Sequence, residues 1–139
     1  LDRFRARAPE GKLLVPNAPG LRSYGQTPYA GYEGASPRGF PYPLPDGIAP
    51  FDRIVIVGDQ AWPLDLVRER RTIETDSFVI SWAPGQNSMY DTRSIERGGD
   101  VGNVIVQRPG DHGLEDIVYG VSFAFAFAAF VPDGTLHLQ

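Results

Sequence analysis

The sequence predicts a mostly β domain of the α+β class, with an antiparallel sheet or partial barrel, one or two short helices and a long ordered loop. Two short runs rich in β-branched and aromatic residues, 53–57 and 78–82, are typical of strands. The 16 glycines and 13 prolines among 139 residues indicate many chain reversals. The hydrophobic fraction of 42% is enough for a core, and the 12% of aromatic residues should supply much of its buried area.

Composition divides the chain into three segments. Residues 1–15 hold a predicted helix end at 1–8 and a predicted strand at 12–15, separated by Pro-Glu-Gly. Residues 16–51 are rich in proline, glycine and tyrosine. The tyrosines predict an ordered loop, because disordered segments are poor in aromatic residues. Residues 52–139 are the predicted β-rich core.

Within the core, strand 53–57 is followed by Gly-Asp, a hairpin signal, and by a predicted return strand at 60–63. A predicted helix at 64–70 comes next, with Leu64 and Val67 facing inward. Residues 122–130 fit both strand alternation and helical spacing, and their alanines favour the helix. The other predicted strands are residues 78–82, 87–90, 104–107 and a final strand that contains His137.

Two segments of the chain resemble each other at a constant offset of 123 residues. Each has an apolar or alanine-rich turn, a reversal at Pro-acid-Gly and a short apolar run. A chance match of common turn residues is the alternative. If the repeat is real, residues 1–15 close a preceding unit and the chain then holds one complete unit. The matched pairs are Phe4/Phe127, Ala6/Ala129, Pro9/Pro132, Glu10/Asp133, Gly11/Gly134 and Leu13/Leu136.

Net charge and cysteine content exclude several functions. The formal net charge of −4 argues against a nucleic-acid partner, because phosphate binding needs a basic surface. No stretch approaches the roughly 20 apolar residues of a membrane span. The absence of cysteine rules out disulfides, thiolate metal sites and a cysteine nucleophile within this chain. The sequence indicates no cofactor and no metal.

No complete catalytic motif is present. His112 and His137 lack ligand spacing, and no Gly-x-Ser-x-Gly occurs. The best candidate carboxylate is Asp91, directly after a predicted strand. The candidate binding residues lie mainly in the tyrosine-rich loop, where aromatic rings and arginine, including Arg38, could line a groove for an extended ligand. Alternatively, the rings only hold the loop against the core. The candidates are Arg22, Tyr24, Tyr29, Tyr32 and Asp91.

Residues 20–32 carry a family resemblance. They read Gly-Leu-Arg-Ser-Tyr-Gly-Gln-Thr-Pro-Tyr-Ala-Gly-Tyr and resemble the G-x-x-R-x-Y-G-x-x-P-Y-x-G-Y stretch of the bacterial and archaeal family called domain of unknown function 3179. Residues 61–64 are similar to its A-Y-P-L motif, and residues 81–91 to its Y-C-P-L-C-x-x-A-x-x-F-D block. Ala83 and Gln86 stand where that block has its two cysteines.

The resemblance implies a protein of two related halves, with the cysteines in the first and this chain as the second. The first expected function is a non-catalytic structural or binding half-module. The alternative is the ligand- or substrate-contacting half of an enzyme, or of a redox or metal protein, whose reactive cysteines lie in the missing first half. The expected partner is that first half or another protein subunit. The resemblance also favours an extracytoplasmic location.

Overall fold

The computed structural model describes residues 2–18, 20–33, 35 and 41–139. Its elements are helix α1 (Asp2–Arg7), strands β1 (Arg53–Val57) and β2 (Gln60–Pro63), helix α2 (Leu64–Arg70), strands β3 (Thr72–Glu74) and β4 (Val79–Ala83), a 3-10 helix (Ile95–Arg97), strands β5 (Asn103–Gly110), β6 (Gly113–Asp116) and β7 (Gly120–Phe123), helix α3 (Ala124–Phe130) and strand β8 (Thr135–Leu136).

The strands form two open sheets of four. The first has the order β7-β1-β2-β8, and the second has the order β3-β4-β5-β6. All strand pairs are antiparallel except β2 with β8, which is parallel. The predicted mostly β, α+β class is confirmed, although the described residues form three short α-helices instead of one or two.

Both faces of the β1–β2 hairpin are buried. Ile54 and Ala61 face the apolar cluster that contains Ala124 and Phe127 of α3. Their neighbours Val55 and Trp62 belong to the larger cluster shared with the second sheet and α2. Alternate residues of a strand point to opposite faces, so an unbroken Ile-Val-Ile-Val run suits a sheet covered on both sides.

Most predicted core elements are confirmed. Strands 53–57 and 60–63 and helix 64–70 have the predicted bounds, and both Leu64 and Val67 are buried. Strand 78–82 is found one residue later, at Val79–Ala83, and strand 104–107 is the centre of the longer β5. The helix favoured for residues 122–130 is found at Ala124–Phe130, and residues 122 and 123 belong to β7 instead.

Two predicted strands are wrong. Residues 87–90 make only an isolated bridge from Asn87 to Asp100, because the chain bends there to receive the tyrosine-rich loop. Residues 12–15 are not a strand, because no strand lies beside them in the described part of the chain. None of the helices in the described ranges is long and apolar enough to cross a membrane.

Trp82 is the point at which the second sheet meets the loop before β5. Its indole N–H donates to the carbonyl of Val101 at 2.8 Å, and the guanidinium of Arg71 lies 4.3 Å from the ring centroid. The ring packs directly on Gly102, where the backbone has a φ of 68°. A Cβ at Gly102 would overlap the indole ring, so this position needs glycine both for its conformation and for space.

Replacing Gly102 by alanine is therefore expected to destabilise the domain by about 3 kcal/mol or more. The energetic cost of a left-handed backbone conformation and that of the steric clash with Trp82 add together. Gly58→Ala is the matched control. Gly58 has a φ of 62° and no heavy atom within 4 Å of the added Cβ, so only the conformational cost of about 1 kcal/mol remains. Urea unfolding of both variants measures the difference, and equal losses would contradict the role of the Trp82 contact.

Candidate functional site

The tyrosine-rich loop is anchored to the core through an aromatic cluster. The rings of Tyr29 and Tyr32 lie 5.5 Å apart, and both have their centroids 6.4 Å from that of Tyr90. Tyr90 in turn packs edge-on against Phe123 at 5.0 Å. Tyr32 also contacts Phe51, at 5.3 Å. The loop rings therefore continue the packing of the first sheet.

Backbone hydrogen bonds fasten the same loop. The N–H groups of Gly31 and Tyr32 donate to the carbonyl of Tyr90 at 2.8 and 3.0 Å. Thr27 N–H donates to Arg93 at 3.0 Å, and Ile95 N–H donates back to Gly25 at 2.9 Å. These bonds satisfy backbone groups that regular secondary structure would otherwise pair.

An ion pair adds a charged contact between loop and sheet. The Glu33 carboxylate accepts from the guanidinium of Arg53 on β1, and the Arg53 side chain is only 12% exposed. The Arg53 guanidinium also lies 5.9 Å from the centroid of the Tyr90 ring. A pair this far removed from water has to keep both partners, because one alone would leave an uncompensated charge.

The five candidate binding residues do not meet in one place. Tyr29 and Tyr32 are in the aromatic cluster. Arg22 and Tyr24 lie on the exposed start of the loop, joined by a hydrogen bond from Tyr24 N–H to the Arg22 carbonyl at 2.9 Å. The Asp91 carboxylate accepts from Gly99 N–H at 2.8 Å. The second arginine of the loop, Arg38, is outside the described residues.

In the described part of the chain, none of the five candidates lines the surface cavities of about 420, 440 and 510 Å³. His112 is exposed in a turn, and His137 stacks on Trp62 at 4.6 Å while bonding Gln60 at 3.0 Å. Within the ranges given above, no three acidic or histidine side chains form a group that could hold a metal ion.

The loop of residues 83–86, where the resemblance places two cysteines, is held by the Asp100 carboxylate. Gly85 and Gln86 N–H groups donate to the Asp100 carboxylate at 2.9 and 3.1 Å, and Gly102 N–H does so at 2.8 Å. These bonds, with Gln86 first, hold the pKa of the Asp100 carboxyl below its ordinary value of 3.8. Sequence reasoning missed Asp100, because its turn position resembles that of several other aspartates.

The segments that the sequence pairs at an offset of 123 residues have the same local geometry. Helix α1 and helix α3 are each followed by a turn closed by two backbone hydrogen bonds. In the first segment these are Ala8 N–H to Phe4 at 2.8 Å and Gly11 N–H to Ala8 at 2.9 Å. Val131 N–H to Phe127 at 2.8 Å and Gly134 N–H to Val131 at 2.9 Å are their counterparts. Each turn glycine is pressed against the matching phenylalanine, Gly11 on Phe4 and Gly134 on Phe127.

The two segments differ in what covers them. Phe127 is 4% exposed and part of the core, whereas Phe4 is 39% exposed. Leu136 packs on the core beside β2, whereas Leu13 is half exposed and Leu14 is fully exposed. We call residues 8–15 the arm. The arm has the turn of the second segment but no sheet beside it in the described chain.

These features define the class of protein as a two-sheet α+β domain with an ordered aromatic loop and an uncovered helix–turn–arm segment. The chain matches the family described as "Protein of unknown function (DUF3179)" over residues 1–134. It therefore belongs to the DUF3179 family, as its tyrosine-rich motif indicated. Comparisons with curated proteins and with solved structures found no match.

Asp100→Asn is expected to lower the unfolding midpoint at pH 7, because a neutral amide is a weaker acceptor for the three N–H groups. The folded-state pKa is lowered, so the stabilising effect of the carboxylate is complete above pH 3.8 and is lost as the pH falls through the folded value. The gap between the wild type and Asp100→Asn should shrink below pH 3.8. Thermal melts from pH 7 to pH 2 measure it.

Asp111→Asn, in an exposed turn, is the control and should track the wild type at every pH. A gap for Asp100→Asn that stays constant down to pH 2 would contradict the assignment.

Proposed function

We propose that this chain is a non-catalytic half-module of a larger protein, in which helix α1 and the arm close a preceding unit of the same kind. The chain itself contributes shape and packing surfaces, and its partner is that neighbouring unit. The main observation behind the proposal is the pair of matching helix–turn segments. The segment of α3 packs on a sheet, and the segment of α1 is uncovered.

Exposure supports this assignment. Apolar side chains that are clustered on a surface favour association, because their burial contributes about 25 cal/mol per Å². Phe4, Leu13, Leu14 and Val15 are all exposed, within a stretch of twelve residues. Their counterparts in the second segment are buried or half-buried in the same unit that they close.

The absence of assembled chemistry in the described regions supports a non-catalytic role for this half. The Asp91 and Asp100 carboxylates each accept backbone N–H groups of neighbouring loops, so they hold structure. Tyr29 and Tyr32 are engaged by the core aromatic rings. The positions of the family's cysteines are Ala83 and Gln86.

The test compares this chain with a protein extended at its amino end by the preceding 123 residues. Leu13→Asp should destabilise the extended protein by about 3 kcal/mol or more, because a charge would be placed in a covered apolar site. The same change in the 139-residue chain should have almost no effect. Urea unfolding of the four proteins gives the comparison.

Leu136→Asp is the matched control, since Leu136 already packs on the core, and it should destabilise both proteins. An extended protein that is indifferent to Leu13→Asp would overturn the proposal. Equal destabilisation of the extended protein and the 139-residue chain by Leu13→Asp would also overturn it, because the arm would then pack on its own chain.

A further inference from the structure

We infer that the arm binds the neighbouring unit as a parallel edge strand, in the register that β8 takes on β2. This inference rests on the proposed function and specifies its mode. The partner is an antiparallel hairpin of the β1–β2 type with one open strand edge, and the arm adds to that edge through its backbone.

Strand β8 is the template for this pairing. It lies parallel to β2, with Thr135 opposite Gln60 and Leu136 opposite Ala61. Thr135 N–H donates to the Asp59 carbonyl at 2.8 Å, and His137 N–H donates to the Ala61 carbonyl at 2.9 Å. The amides of residues 135 and 137 therefore point at β2 and the amide of residue 136 does not, as parallel pairing requires.

The arm has the same preceding turn as β8, but no neighbouring strand in the described chain. Its turn is closed by the same two hydrogen bonds, so the chain leaves Gly11 as it leaves Gly134. At the offset of 123 residues, Lys12 stands for Thr135, Leu13 for Leu136 and Leu14 for His137. Among the described residues neither Lys12 nor Leu14 makes a hydrogen bond. Their amides are therefore available for an outside acceptor.

The side chains define the chemistry of the partner. Leu136 lies opposite Ala61 and packs against the apolar cluster that contains Ile54, so Leu13 requires a partner strand with a small residue opposite it and an apolar cluster beside it. His137 lies flat on the Trp62 ring at an interplanar angle of 9°. Leu14 cannot stack as an imidazole does, so the partner has an apolar surface there. Lys12 keeps an exposed position, as Thr135 does.

Hydrogen–deuterium exchange read by NMR on the extended protein tests the register. Lys12 and Leu14 amides should exchange about a hundredfold more slowly than in the 139-residue chain, whereas the Leu13 amide should change much less. Thr135 and His137 amides, slow in both proteins, are the internal reference. Uniform protection of the arm, or protection of Leu13 alone, would overturn the inference.

A graft in the 139-residue chain tests the arm without the preceding unit. Five substitutions convert residues 131–138 into the sequence of residues 8–15. The graft should unfold in one cooperative transition, within about 10 °C of the wild type. Its amides at positions 135 and 137 should stay protected. The changes are Val131→Ala, Asp133→Glu, Thr135→Lys, His137→Leu and Leu138→Val.

Adding Leu136→Asp to the graft is the control and should remove both cooperativity and protection. A graft that folds without protected amides at positions 135 and 137 would show that the arm sequence cannot pair with a β2-type edge, which overturns the inference.

The two proposals fail in different ways. If Leu13→Asp destabilises the extended protein but Lys12 and Leu14 are not protected in alternation, the arm docks in another manner and only the inference is wrong. If Leu13→Asp does not change the stability of the extended protein and the amides of the arm are not protected from exchange, the proposed function is wrong as well.

Discussion

Burial of the β1–β2 hairpin on both faces is the constraint on which the rest of the structure depends. Ile54, Val55, Ala61 and Trp62 are at most 4% exposed, and they alternate between two apolar clusters. A sheet that is apolar on both faces needs a covering layer on each side. The second sheet and α2 cover one face, and α3 covers the other, while β8 extends the sheet beside β2. Helix α3 is therefore a required layer of the fold.

The same constraint explains why an uncovered segment with the same turn geometry is informative. A six-residue helix such as α1 is marginal in water by itself, because helix nucleation is unfavourable and most helix stability comes from packing. Exposed apolar residues beside an unpaired backbone also favour association with other chains. Both costs disappear if a neighbouring sheet receives helix α1 and the arm, as α3 and β8 are received within this unit.

Sequence reasoning succeeded where local signals and burial agree. Strands β1 and β2 and helix α2 were predicted because a β-branched run, a glycine turn and an amphipathic pattern each point to the element that burial requires.

Strands β3 and β6 were missed, because Thr72–Glu74 and Gly113–Asp116 are short edge strands that depend on pairing with their neighbours β4 and β5. Residues 12–15 fail in the opposite way: the pattern suits a strand, but pairing depends on a partner that composition cannot reveal. Asp100 was missed because two of its three N–H donors, Gly85 and Gln86, lie 15 and 14 residues earlier along the chain.

The tyrosine-rich loop shows how the chain orders a segment with little regular secondary structure. Its N–H groups donate to carbonyls of residues 90 and 93, its rings extend the aromatic cluster, and Glu33 neutralises the mostly buried Arg53. The loop at residues 83–86 is fixed in a similar way by Asp100, which receives its N–H groups without any cysteine. In both places, residue types that could carry chemistry are engaged in holding one segment against another. A domain whose polar groups are used in this manner suits the proposed scaffold role, and it leaves the uncovered arm as the segment best placed to bind a partner.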